Sequence, residues 1–159
     1  MRRGTAAGLR GSIERKAAWI GPAIVALDVI KPDGESALAT IAIETGVVTD
    51  DAIDGRVVSA TPVGDRLAVD DPATGNVVVG EADQVGVGPR RQIARLAGPA
   101  GSAVDSLAIS PDGGRLAVVR RSDSGAASID LYRQLEAGWT KLRTIALDGD
   151  GPVSIAWLR

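Results

Sequence analysis

Asp148 and Asp150, in the run DGDG at residues 148–151, stand at the spacing of the first two ligands of a calcium loop. The later acidic ligands, above all the closing bidentate Glu, are missing, so the run reads better as a turn between repeated units. Asp50, Asp51 and Asp54 form an acidic run that could hold a cation or act as paired carboxylates. Glycosidase chemistry needs two carboxylates facing each other across a cleft, and these three share one connection, where solvated loop charge is the simpler account. GVGPRR at 86–91 sets glycines beside Arg90 and Arg91, which invites a phosphate. Neither G-x-G-x-x-G nor G-x-x-x-x-G-K-[ST] is present and no helical pattern follows, so a basic loop is the better reading. Asp28 is an acid that could turn into a central channel and meet a cation or a small ligand. No catalytic residue, cofactor site or metal site is assigned to any of these.

Composition narrows the chemistry further. The 159 residues include no Cys and no His. That removes disulfides, thiolate nucleophiles, zinc-thiolate sites, a lipid-bearing Cys, Ser-His-Asp and Cys-His arrangements and the usual transition-metal sites. Charge is uneven: residues 1–23 carry five cations against one acid, residues 24–89 three against twelve, and residues 90–159 ten against seven. An acidic middle between basic ends could steer a charged partner, though solvated turns and strand edges account for it as well. Four aromatics, Trp19, Trp139, Trp157 and Tyr132, and no dense basic stripe argue against nucleic acid. The longest apolar stretch, AAWIGPAIVAL at 17–27, is broken by Gly21-Pro22 and falls short of the ~20 residues that a spanning helix needs. The opening MRR imitates an export signal, but the basic region is long, Glu14 lies inside it and no A-x-A site follows.

The elements that must position any site are short strands. Twenty glycines and eight prolines without period mark many turns. VDSLAISPDGGRLAVVRR, residues 104–121, reads as two apolar alternations folded about Pro111-Asp112-Gly113-Gly114. Gly supplies positive φ there and Asp caps the turn, so PDGG is structural before it is anything else. SIDLY then alternates with Ile129 and Leu131 inward, and TKLRTIAL gives a more polar fourth strand. Four antiparallel strands of falling apolarity describe a propeller blade, innermost strand first. PVSIAWLR, 152–159, begins the pattern anew with Val153, Ile155 and Trp157 on one face. VALDVIKPDGESALAT (25–40) and VVSATPVGDRLAV (57–69) read as further copies, with GDRLAVDDPATGNVVVG parallel to GESALATIAIETGVVTD. Inner strands are thus expected near residues 24, 57, 104 and 153, at intervals of roughly 33, 47 and 49 residues, against ~40–50 per blade.

ISPDGGRLAVV resembles the WD40-like, TolB-type propeller repeat, in which a strand ends in S-P-D-G and the return strand reads R-x-A-V. The last third of the chain, from Val104 to Arg159, is similar to a blade of actinobacterial LpqB-type propeller lipoproteins. That resemblance implies an envelope protein associated with a two-component sensor kinase. The lipobox Cys and the additional N-terminal domain of that family have no counterpart here, and no catalytic residue carries over.

The sequence therefore predicts an all-β chain, a partial or small β-propeller of about three four-stranded antiparallel blades plus part of a fourth. Residues 1–23 form a basic segment that could supply edge strands, and residues 24–159 the blades. The expected function is a non-enzymatic protein-interaction scaffold in an envelope or signalling assembly. The alternatives are the non-catalytic propeller portion of a hydrolase or peptidase, and a small-ligand or cation binder. A protein partner is expected, with no nucleic acid and no membrane span. Because three and a fraction blades leave apolar faces open, the chain is expected either to pair with another copy or to be a piece of a larger propeller. Localisation stays open: the lack of a clear signal points to the cytoplasm, the LpqB resemblance to the envelope.

Overall fold

The computed structural model of the chain describes residues 12–30, 34, 36–53, 57–63, 65–82, 89–149, 151 and 153–157. The order of strands is β1 (Ser12–Gly21), β2 (Ile24–Ile30), β3 (Ser36–Ala42), β4 (Val48–Ile53), β5 (Val58–Ala60), β6 (Arg66–Asp71), β7 (Asn76–Ala82), β8 (Pro89–Leu96), β9 (Ser102–Ile109), β10 (Arg115–Ser122), β11 (Ala127–Leu135) and β12 (Gly138–Leu147). They form three four-stranded antiparallel sheets in chain order: sheet I is β1-β2-β3-β4, sheet II β5-β6-β7-β8 and sheet III β9-β10-β11-β12. The molecule is all-β, and its sheets are the blades of a partial propeller. Their first strands converge, β1 meeting β5 and β5 meeting β9.

Packing between sheets follows from the period-2 alternation of each strand. Ile20, Ala26 and Leu38 of sheet I close against Val58, Leu67 and Val69 of sheet II. The opposite face of sheet II, with Ala68, Val77 and Val79, closes against Val104, Leu107, Ile109, Leu116, Val118 and Tyr132 of sheet III. Both faces of a middle blade are therefore buried, which explains why RLAV reads as a continuous apolar run rather than an alternation. Burial falls outward, from β9 and β10, whose central residues are buried, to β12, which is mostly exposed. The turn after β9 takes its expected form. Gly113 has φ 68°, and the Asp112 carboxylate accepts from the Ser110 hydroxyl and from the Gly114 N–H at 3.0 Å.

Sequence and structure part in three places. The first blade begins at Ser12, not near residue 24, so that first strands start at 12, 58 and 102 and the repeats run 46 and 44 residues. Gly21-Pro22 is the β1–β2 turn, and the Pro-Asp-Gly at 32–34 lies between β2 and β3, where Pro32 and Asp33 fall outside the described residues. A Pro-Asp-Gly turn can close any hairpin of a blade, so turn chemistry does not number the strands. RLAVDD of β6 accordingly matches IVALDV of β2, not the β3 segment that its sequence suggested. In the second place, Ile129 and Leu131 do not point into the sheet II–III core: Asp130 and Tyr132 do, and the two aliphatics lie half-buried on the other face. In the third, residues 153–157 form no regular strand, although Val153, Ile155 and Trp157 are half-buried and Ser154 and Ala156 exposed, as alternation requires. This segment runs beside β9, with the Ile155 N–H on the Ser106 Oγ at 3.4 Å and the Trp157 Nε1 on the Ala108 carbonyl at 2.9 Å.

Candidate functional site

Where the first strands converge they line an open pocket of about 410 Å3. Its walls are Ala17, Ala18 and Trp19 of β1, residues 57–60 at and beside β5, Ser106 and Leu107 of β9, and Ser154 with Ile155. An adjoining cavity of about 300 Å3 continues past Pro62, Pro111 and Trp157. Small residues line this axis because inner strands crowd there. Two of the channel hydroxyls are already engaged in structure: Ser59 accepts the Ile109 N–H at 3.0 Å, and Ser106 accepts from Ile155. No described lining residue is ionisable.

Among the described residues the densest ionic group lies elsewhere, on the side of sheet III that faces sheet II. Asp130, almost wholly buried, accepts from Arg120 Nε at 3.2 Å, Lys141 Nζ at 2.6 Å and Thr144 Oγ1 at 2.6 Å. Burial alone would raise the Asp130 pKa. The hydrogen bonds from Lys141 and Thr144 and the charges of Lys141 and Arg120 outweigh it and hold the carboxyl below its ordinary 3.8. Arg120, equally buried, also donates through Nη1 to the Gly75 carbonyl in the β6–β7 turn, and it lies against Gly98, where a Cβ would meet its guanidinium. Arg66 makes a parallel link, donating to the Gly113 carbonyl at 3.3 Å and to the Gln134 amide oxygen. Asp70 receives the Val57 N–H at 2.7 Å and ties the start of sheet II together. Arg120 and Arg66 hold sheet II to sheet III, while among the described residues the donors to the Asp130 carboxylate are side chains of sheet III.

The residues singled out by chemistry in the sequence do not gather. Asp148 is exposed beside Gly149, which has φ 107°, and Asp150 lies outside the described residues. Asp54 and residues 86–88 lie outside the description, as do the side chains of Asp28, Asp50, Asp51, Arg90 and Arg91. Among the described residues no three of His, Cys, Asp and Glu cluster as a metal site. No helix among them is long and apolar enough to cross a membrane. The Arg120–Asp130 pair escaped sequence reasoning because its members are ten residues apart on adjacent strands; the only signal was an acid interrupting the apolar run SIDLY.

No family model matches the chain, and no curated protein matches it. Among solved structures it is similar to the hydrazine synthase of Kuenenia stuttgartiensis, with a TM-score of 0.54 and 17% identity, over 82% of this chain and 36% of that one. A protein from Lactobacillus plantarum gives a TM-score of 0.46 at 15% identity, over 79% of this chain and 36% of its own. The chain thus spans little more than a third of the length of either. The hydrazine synthase likeness establishes the class of fold, an all-β partial propeller, and fold alone does not assign activity.

Proposed function

We propose that this chain is a non-enzymatic propeller segment that presents its loops and blade faces to a protein partner, in an envelope or signalling assembly. The observation that supports it is the use made of its ionisable groups. The described axis, where a propeller would gather a ligand, has none, while the buried Arg120, held by Asp130, ties sheet III to the Gly75 carbonyl of sheet II. The likeness of ISPDGGRLAVV to TolB-type repeats, and of the last third to LpqB-type lipoproteins, supports an envelope setting. A photo-crosslinking amino acid at Val63, exposed in the β5–β6 turn, or at Leu142, exposed on the outermost strand of sheet III, tests the reading in the native cell. One discrete protein adduct, a sensor kinase above all, is the expected result. Adducts indistinguishable from those of an unrelated surface protein would refute it.

A second reading is that of a propeller portion of a larger hydrolase whose active domain lies elsewhere. The likeness of this chain to only 36% of a longer solved chain favours it. A hydrolase domain encoded alongside, or crosslinked at those same positions, would select this reading over the first.

A further inference from the structure

One dipeptide, Asp-Gly, stands in two contrasting settings among the described residues: Asp112-Gly113 in the β9–β10 turn, and Asp148-Gly149 just after β12. The side-chain carboxyl carbon of an aspartate is one ring closure away from the amide nitrogen of the next residue, and glycine, which has no Cβ, obstructs that closure least. Whether the five-membered ring forms depends on what holds the carboxylate, the amide and the chain between them. In the β9–β10 turn all three are held. The Asp112 carboxylate accepts from the Ser110 hydroxyl and from the Gly114 N–H at 3.0 Å. The Gly113 N–H, which would have to attack, donates to the Ser110 carbonyl at 2.8 Å. Gly113 is buried, its carbonyl accepts from Arg66, and a Cβ on it would stand 2.7 Å from Arg66 Cδ. The Ser110 hydroxyl and the Gly114 N–H also hold the Asp112 carboxyl below its ordinary 3.8, so the protonated form, from which water leaves most readily, is scarcer.

Beyond β12 these restraints are gone. Asp148 and Gly149 are both exposed, and a Cβ on Gly149 would meet nothing within 4 Å. Among the described residues none bonds to the Asp148 carboxylate or to the Gly149 N–H. The φ of 107° at Gly149 suits glycine alone, so a shielding side chain there would bring strain. The position also bears on the fold. This connection leads from the outermost strand of sheet III back to residues 153–157, which run beside β9 and line the axis. Arg121 Nη2 steadies it through the Gly151 carbonyl at 2.8 Å.

We propose that Asp148-Gly149 is a self-modifying site that converts to isoaspartate and thereby loosens residues 153–157 from β9, while Asp112-Gly113 is protected. The Gly149 nitrogen attacks the Asp148 side-chain carboxyl carbon. A C–N bond forms, the nitrogen gives up its proton, and one carboxyl oxygen leaves as water, closing a succinimide. Water then adds to the ring at the main-chain carbonyl and breaks its bond to nitrogen. The peptide link now runs through the Asp148 side chain, a free carboxylate remains on Cα, and the main chain is one carbon longer. One water leaves and one returns, so no other reactant is needed. The full chain kept in warm neutral buffer, sampled over time and sequenced by electron-transfer fragmentation, tests the proposal, with a synthetic peptide of residues 147–152 kept alongside as the clock. Isoaspartate is expected at residue 148, and at residue 112 about tenfold more slowly or less, since three hydrogen bonds must break there first. Asp148→Glu, which would need a six-membered ring, should stay unmodified, and Asp148→Asn should convert faster through the same ring with loss of ammonia. The Ile155 amide, held by Ser106, should exchange hydrogen faster in aged wild type and not in aged Asp148→Glu. Residue 148 unchanged once the peptide has largely isomerised, equal conversion at residues 112 and 148, or unaltered exchange at Ile155 in chains carrying isoaspartate at 148 would overturn the proposal.

Discussion

Asp130 shows how a single residue can join two blades. It anchors Arg120, and Arg120 reaches across to the Gly75 carbonyl, so one carboxylate organises a contact between sheets that are otherwise aliphatic. Removing one member of a buried pair strands the other charge. Asp130→Ala should therefore cost about 3–5 kcal/mol in urea unfolding, whereas Lys141→Met, at a side chain 41% exposed, should cost no more than about 1 kcal/mol. The pH dependence has a definite sign. With its folded pKa below 3.8, Asp130 contributes stability that is complete above that value and is lost as pH falls through the folded value. Acid titration of the unfolding midpoint should show this loss in the wild type and a shallower one in Asp130→Asn. Little of this was legible beforehand. Alternation in SIDLY puts the aliphatics inward, and only the partner strand, with Arg120 placed to neutralise the acid, reverses the choice.

At the scale of elements, the turns carry most of what the sequence discloses. Thr61 and Ser110 do the same work at the ends of β5 and β9: each hydroxyl accepts the N–H of the arginine that begins the return strand, at 3.2 and 2.8 Å. The S-P-D-G pattern could be read for that reason, while the β1–β2 turn, Gly21-Pro22-Ala23, lacks both the hydroxyl and the aspartate and left the first blade misframed. Glycines separate by what surrounds them. Gly75, at φ 66°, would place a Cβ 2.4 Å from the Ser102 carbonyl oxygen, whereas Gly125, at φ 87°, faces open space. Gly125→Ala should cost about 1–2 kcal/mol of left-handed strain. Gly75→Ala should cost distinctly more, because backbone of the next blade must move, and thermal unfolding of the two variants side by side measures the difference.

The whole molecule is a stack of three repeats around an axis lined by small and apolar side chains. The order of the blades and the outward fall in burial were readable from hydrophobic alternation, since those depend on each strand's own residues. Which face of a blade meets which neighbour was not, since both faces of RLAV are apolar and only the assembled stack distinguishes them. The central claim is that each consecutive group of four strands closes as its own sheet, with the first strands meeting at the axis. Nuclear Overhauser contacts between backbone protons of the labelled protein test it most directly. The account predicts cross-strand contacts at Trp19–Val25, Val58–Val69 and Leu116–Ile109, contacts between the Ser59 side chain and the Ile109 amide across the axis, and no ladder joining β4 to β5 or β8 to β9. A continuous β4–β5 or β8–β9 ladder, or first strands without mutual contacts, would contradict it.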